Sequence, residues 1–197
     1  MLAKLLHVLI VALTMLANPS WAQVADKVDR LGVAGPLTFK NQSYSLAWSS
    51  KPSDTYIKQE YVPEGQSVES FRDMILVEAL AGSSTPADLA RAQVDMLEQR
   101  KSFDHIVNYA IFINDKTGEI VLDFVLSDYQ ADPVVLEWNA YRYFPLKDNK
   151  GSALYGISRR AYGEADTKAM LSGLKKIRDD NLNPFVASKA PVITIKD

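Results

Sequence analysis

Apolar and polar residues alternate along most of the chain beyond residue 42, and that period of two predicts strands. In 43–49, "SYSLAWS", Tyr44, Leu46 and Trp48 fall on one face. A turn at "KPSD" leads to a second strand over 55–63, ended by Pro63, Glu64 and Gly65. Ser67 is a candidate N-cap for a short helix over "SVESFRDM". The following run, "MILVEALAG", reads as a strand, although Phe71, Ile75 and Glu78 also fit a helical period. The pattern then changes to helix over 84–101, with Thr85 as N-cap, Pro86 at the first helical position and Asp88 at the third.

Alternation returns after residue 105. "HIVNYAIFINDKTGEIVLDFVLSD" reads as a hairpin around "NDKTGE", with Asn114 opposite Glu119. Val107, Tyr109, Ile111 and Ile113 then share a face with Ile120, Leu122, Phe124 and Leu126. The opposite face is also apolar, so both strands are expected to be central and covered on both sides. A second hairpin joins 134–146 to 152–163 through "DNKG". An amphipathic helix over 164–180 follows, burying Met170, Leu171, Leu174 and Ile177. Beyond Pro184 a loosely packed tail is expected, with Val192, Ile193 and Ile195 available as an edge strand.

The element order predicts an α+β domain: a twisted, mainly antiparallel sheet with helices packed on it. Its expected extent is 42–183, between an irregular leader over 23–41 and a tail over 184–197. Residues 1–22 have the build of a secretory signal peptide: Lys4, an apolar run from Leu5 to Leu16, then Pro19 and small residues at Ser20 and Ala22. Cleavage is expected after Ala22, and no later run is long enough to span a membrane. That places the protein in the periplasm or outside the cell. The chain has no cysteine and a formal net charge of −2, so neither a disulfide framework nor nucleic acid is expected.

The strand, proline–glycine break, polar turn with an aromatic and apolar strand of "YVPEGQSVESFRDMILVEAL" resembles the PsbP-like fold group. That group includes the extrinsic photosystem II subunit and bacterial envelope relatives. The resemblance is one of topology over roughly 40–180 and involves no diagnostic motif. It implies a non-catalytic binding module.

Candidate chemistry is sparse. Once residues 1–22 are removed His105 is the only histidine, and with no cysteine a zinc site or thiol nucleophile has no ligand set. His105 reads as a partly exposed strand-end residue. Asp123 lies mid-strand on an apolar face. It reads either as the partner of a cation from a covering helix or, with Glu137 as the nearest second acid, as half of a carboxylate hydrolase site. No cofactor is expected.

The second hairpin is the richest segment. If Lys147 opposes Ser152, then Tyr141 faces Ser158, Asn139 faces Arg160, Tyr143 lies over Gly156, and Glu137 faces Tyr162, all on one half-exposed face. Arg142 and Arg159 fall on the other, mainly apolar face. They are expected either to pair with helix acids (Asp95, Glu98 or Asp166) or to meet an anionic ligand. Tyr141, Arg142, Tyr143, Arg159, Arg160 and Tyr162 are therefore the candidate binding residues. Tyrosine and arginine suit both a hot spot and a well-built sheet. The leading expectation is a non-enzymatic envelope protein that binds a protein partner through its sheet or this hairpin. The alternative is a carrier of a small anionic ligand between sheet and helix.

Overall fold

The computed structural model describes residues 27–196. The signal peptide expected over 1–22 lies outside the described residues. Eight antiparallel strands form one sheet: β1 (Leu37–Phe39), β2 (Gln42–Ser53), β3 (Tyr56–Val62), β4 (Asp73–Ala81), β5 (Asn108–Asn114), β6 (Glu119–Asp128), β7 (Val135–Pro145) and β8 (Gly151–Tyr162). Their order is β1-β2-β3-β4-β8-β7-β6-β5. After β4 the chain crosses to the far edge through helix α1 (Pro86–Arg100). It then returns strand by strand until β8 closes against β4. The α+β expectation is met.

The segment that fitted both strand and helix forms a strand, β4, from Asp73 to Ala81. Ser67 caps no helix; Ser70 N–H bonds back to the Ser67 carbonyl in a single turn, and Gln66 Oε1 accepts from the Arg72 and Asp73 amides. The helix pattern over 84–101 forms α1, with the Thr85–Asp88 capping box in place.

Two side-chain clusters fill the two sheet faces. Leu97 of α1 packs with Leu122, Phe124, Tyr143 and Leu154 of the sheet. On the other face lie Ile57, Tyr61, Ile75, Val77, Trp138 and Tyr155. They are covered by residues 29–36 and by helices α2 (Gly163–Ser172) and α3 (Leu174–Ala187). In β2 a register shift between Leu46 and Trp48 breaks the expected common face. Trp48 pairs with Glu60 on the α1 side, while Tyr44 and Leu46 stay with the other cluster.

The expected helix over 164–180 is two helices that meet at Gly173, and α3 runs on through Pro184. Pro184 has no N–H for the Asp180 carbonyl. Lys40 Nζ donates to that carbonyl instead, at 3.0 Å. Continuing the helix inserts Phe185 between the rings of Phe39 and Tyr155. The body is thus wider than 42–183, because Leu31, Val33 and Phe185 are all core residues. The tail is tied down as well: the Thr194 and Lys196 amides donate to the Leu31 and Arg30 carbonyls.

The β7–β8 hairpin is offset by two residues from the expected register. Tyr141 pairs with Gly156, Asn139 with Ser158, Glu137 with Arg160 and Tyr143 with Leu154. A turn of 3-10 helix over Lys147–Asn149 sets the offset, with Leu146 N–H bonded to the Gly151 carbonyl. An even offset leaves every side chain on its expected face. It moves the ring over the glycine, however, from Tyr143 to Tyr141. A Cβ at Gly156 would meet Tyr141 Cδ1 at 2.7 Å.

Candidate functional site

The six hairpin residues do not converge. Tyr141, Tyr143, Arg160 and Tyr162 are on the α1 face, Arg142 and Arg159 on the other, as the alternation requires. Nor is the α1 face half-exposed: Tyr143, Asn139 and Ser158 are buried. Each arginine already has a carboxylate, and none is a helix acid named from the sequence. Arg142 pairs with Glu119 and also donates to the Phe185 and Ser188 carbonyls. It thereby fastens β7 to the end of α3. Arg159 pairs with Asp73 at 2.8 Å. Arg160 pairs with Glu137 and stacks over Phe71. Burial pulls the Arg160 pKa down, but Glu137 outweighs it and the net shift is upward. Tyr162 donates to the Phe71 carbonyl. These contacts assemble the sheet.

Asp123 takes the structural role. Trp138 Nε1 donates to it at 2.5 Å, and Arg178 of the covering α3 pairs with it at 2.8 Å. Its proposed companion Glu137 lies on the opposite face, because Asp123 pairs with Ala140 and Glu137 with Leu126. Two carboxylates separated by the sheet cannot flank one scissile bond. His105 is exposed.

A charged cluster on the α1 face went unseen in the sequence. Lys58 sits 2.8 Å from Glu60 and 3.9 Å from Glu78, and Tyr56 donates to Glu78 at 2.7 Å. Burial lowers the Lys58 pKa, but Glu60 and Glu78 outweigh it and hold the ammonium above its ordinary value. Burial, then Glu78, pushes Tyr56 up. Burial, then Glu137 and Glu78, does the same for Tyr141. The lysine is therefore a fixed cation and the two tyrosines fixed neutral donors near pH 7. That protonation pattern suits a structural network and supplies neither a general base nor a nucleophile. The signal was present as Tyr56, Lys58 and Glu60 at spacing two, but their partner Glu78 is fixed by strand pairing alone.

Where β4 begins and β8 ends, a shallow cleft runs between the sheet and α2–α3, lined by Arg72, Asp73, Arg159, Arg160 and Asp166. Here too the cations are engaged: Arg72 with Asp166 at 3.0 Å, Arg159 with Asp73.

The exposed feature is β5. The expectation that both strands of the first hairpin are central holds for β6 and fails for β5. β6 is buried along nearly its whole length between β5 and β7. Among the described residues β5 is the last strand of the sheet, and no strand lies beside its outer edge. Ile111 is 43%, Phe112 51% and Ile113 64% exposed. Because α1 packs mainly over β6, β7 and β8, the outermost strand is left uncovered. At one end of β5, Tyr109 is fastened to α1: its hydroxyl donates to Glu98 at 2.6 Å and Lys101 lies over its ring. Sequence reasoning missed the edge because an apolar strand with both faces apolar has the same pattern at the centre of a sheet as at its rim. Only the strand order tells them apart.

A protein-family model matches residues 31–190. The chain belongs to that family. The matched span begins at Leu31, a fully buried core residue, and includes every strand and helix described above. The family's description names no activity, substrate or partner. No curated protein and no solved structure matches the chain. Among the described residues no helix is long and apolar enough to cross a membrane, and no cluster of three or more His, Asp or Glu side chains is placed to hold a metal.

Proposed function

We propose that this chain is an exported, non-enzymatic binding module of the cell envelope, and that it takes up an extended segment of a protein partner as a ninth strand along β5. One observation carries the reading. A seven-residue edge strand, without charge or proline, presents both its outer backbone groups and its large apolar side chains to solvent. Natural sheets blunt such edges with charges, prolines, bulges or very short strands. An edge without these devices is suited to strand addition, where backbone hydrogen bonds give affinity and alternate side chains give specificity. The signal-like residues 1–22 and the resemblance to PsbP-like binding modules support the same reading.

The anionic-ligand carrier has weaker support. Its arginines are all engaged by carboxylates, so an anion would have to displace an internal partner at each. The hydrolase has none, since its two acids lie on opposite faces.

The test is a photo-crosslinking phenylalanine analogue at Phe112, with the same residue at Thr38 on β1 as control, irradiated in the native envelope. Adducts from position 112 to a short uncharged segment, with none from position 38, support the reading. No adducts, or equal adducts from both edges, overturn it.

A further inference from the structure

Resting on that reading, we infer that the segment β5 accepts is the β5 of a second copy, in an antiparallel dimer centred on Ile111. The strand is symmetric in polarity about Ile111, with an asparagine at each end and five uncharged, mainly apolar residues between: Asn108-Tyr-Ala-Ile-Phe-Ile-Asn114. A two-fold axis perpendicular to the sheet is the operation that brings one edge against itself antiparallel. It keeps the α1 face of one copy on the α1 face of the other, so only residues of like parity pair across it.

With the axis at Ile111 the whole strand is used. Asn108 meets Asn114, Tyr109 meets Ile113, Ala110 meets Phe112, and Ile111 meets itself. On the α1 face the two isoleucines lie side by side, flanked by an aromatic–aliphatic pair at each end, the kind of cross-strand pair that stabilises sheets. On the other face the exposed Phe112 ring sits over Ala110, a large residue over a small one. The asparagines close the ladder where it leaves the apolar stretch. No charge lies within it, and continuing the register brings Asp115 opposite Val107 and Lys116 opposite Ile106, so no like charges oppose each other.

Moving the axis to Ala110 or Phe112 shortens the ladder and places an asparagine against Phe112 or Ala110 respectively. The register at Ile111 alone matches both ends. Whichever backbone groups of β5 point outward, the axis sets them against their own equivalents, giving roughly six to eight new hydrogen bonds. The result is one sixteen-stranded sheet, with both α1 helices on one face.

The ladder is small beside the roughly 800 Å² per partner of a standard interface. Monomer and dimer are therefore expected to exchange with concentration, in the micromolar range. The absence of any cysteine allows a direct trap. In Ile111→Cys the two thiols face each other across the axis, within disulfide reach. In Phe112→Cys, equally exposed, they are displaced by two residues along the strands, beyond the roughly 7 Å limit between Cα atoms.

The experiment is mild oxidation of each variant of residues 23–197, read on non-reducing gels after circular dichroism has confirmed the fold. Sedimentation of wild type and Ile111→Lys runs from one to several hundred micromolar. The expected result is a disulfide dimer from Ile111→Cys at least tenfold more abundant than from Phe112→Cys. Wild type is expected to associate with concentration while Ile111→Lys stays monomeric. Equal cross-linking of the two cysteine variants, or a wild type monomeric throughout, overturns the dimer. The edge-strand reading is tested separately: adducts from position 112 on another protein leave it standing and remove only the homodimer.

Discussion

The sheet ends in two strands built in opposite ways. β1 is three residues long, and the sheet face beside it is sealed. Residues 29–36 lead into β1 and bond to Gln59 and Tyr61 of β3, with Leu31 and Val33 in the core. Gln59, fully buried, accepts from the Arg30 and Leu31 amides and donates to the Val33 carbonyl. Asp29 accepts from the Leu31 and Val33 amides, and the C-terminal tail bonds to the outer side of the same segment. β5 is seven residues long, and only Tyr109 has a side-chain tie to a helix. At one end of the sheet polar groups, both termini and extensive burial cover a face. β5, at the other end, has none of this cover.

The strongest way to break the comparison is to attack the seal. Leu31→Ala removes a fully buried side chain that pins residues 29–36, and is expected to cost about 3 kcal/mol in denaturant unfolding. A loss below about 1 kcal/mol would mean that the segment is held by its hydrogen bonds alone, and that this cover is far less secure than its burial implies.

Much of this fold was legible, and what was missed has physical causes. The period of two located the strands, and Thr85 with Pro86 and Asp88 located α1, because those signals are local. The faces of β7 and β8 were right although the register was not, since an error of two residues preserves parity. Trp48 was placed on the wrong face because one bulge inverts everything after it. The end of the last helix was missed at Pro184, whose disruption is offset by Lys40, which reaches the Asp180 carbonyl from 140 residues earlier in the chain. Strand order was not legible at all, and the candidate site depends on it. The tyrosines and arginines that drew attention in the sequence turned out to be internal fittings. The segment left exposed looked like core.

A smaller effect separates the edges by pH. Burial would raise the Asp29 pKa, but Lys196 and the Val33 and Leu31 amides outweigh it, so the folded value lies below the ordinary carboxylate range. A depressed folded pKa gives stability that is present above the unfolded value, near pH 3.9, and is lost as pH falls through the folded one. Exchange protection of the Leu31 and Val33 amides should therefore be flat from pH 8 to 5, once intrinsic rates are corrected, and fall below about pH 4. In Asp29→Asn that fall should vanish, with protection reduced by about 1 kcal/mol at neutral pH. A protection profile unchanged by the substitution would remove Asp29 from the seal.

The smallest expected effect is the most discriminating. Ile113 is the most exposed large side chain of β5, so Ile113→Ser in dilute monomer should change stability by no more than about 0.5 kcal/mol. That contrasts with Leu31, an apolar residue fully buried over the same sheet. The near-neutrality should hold only while β5 has no partner. A partner that binds the folded chain adds RT ln(1 + [L]/Kd) to stability, and here the partner is the protein itself. Raising wild-type concentration from below one to several hundred micromolar should raise its melting temperature, while Ile113→Ser, which weakens the pairs with Tyr109, should lag behind. If both melt identically at every concentration, β5 is an edge that stays bare. The asymmetry between the two edges would then be one of construction alone, with no consequence for association.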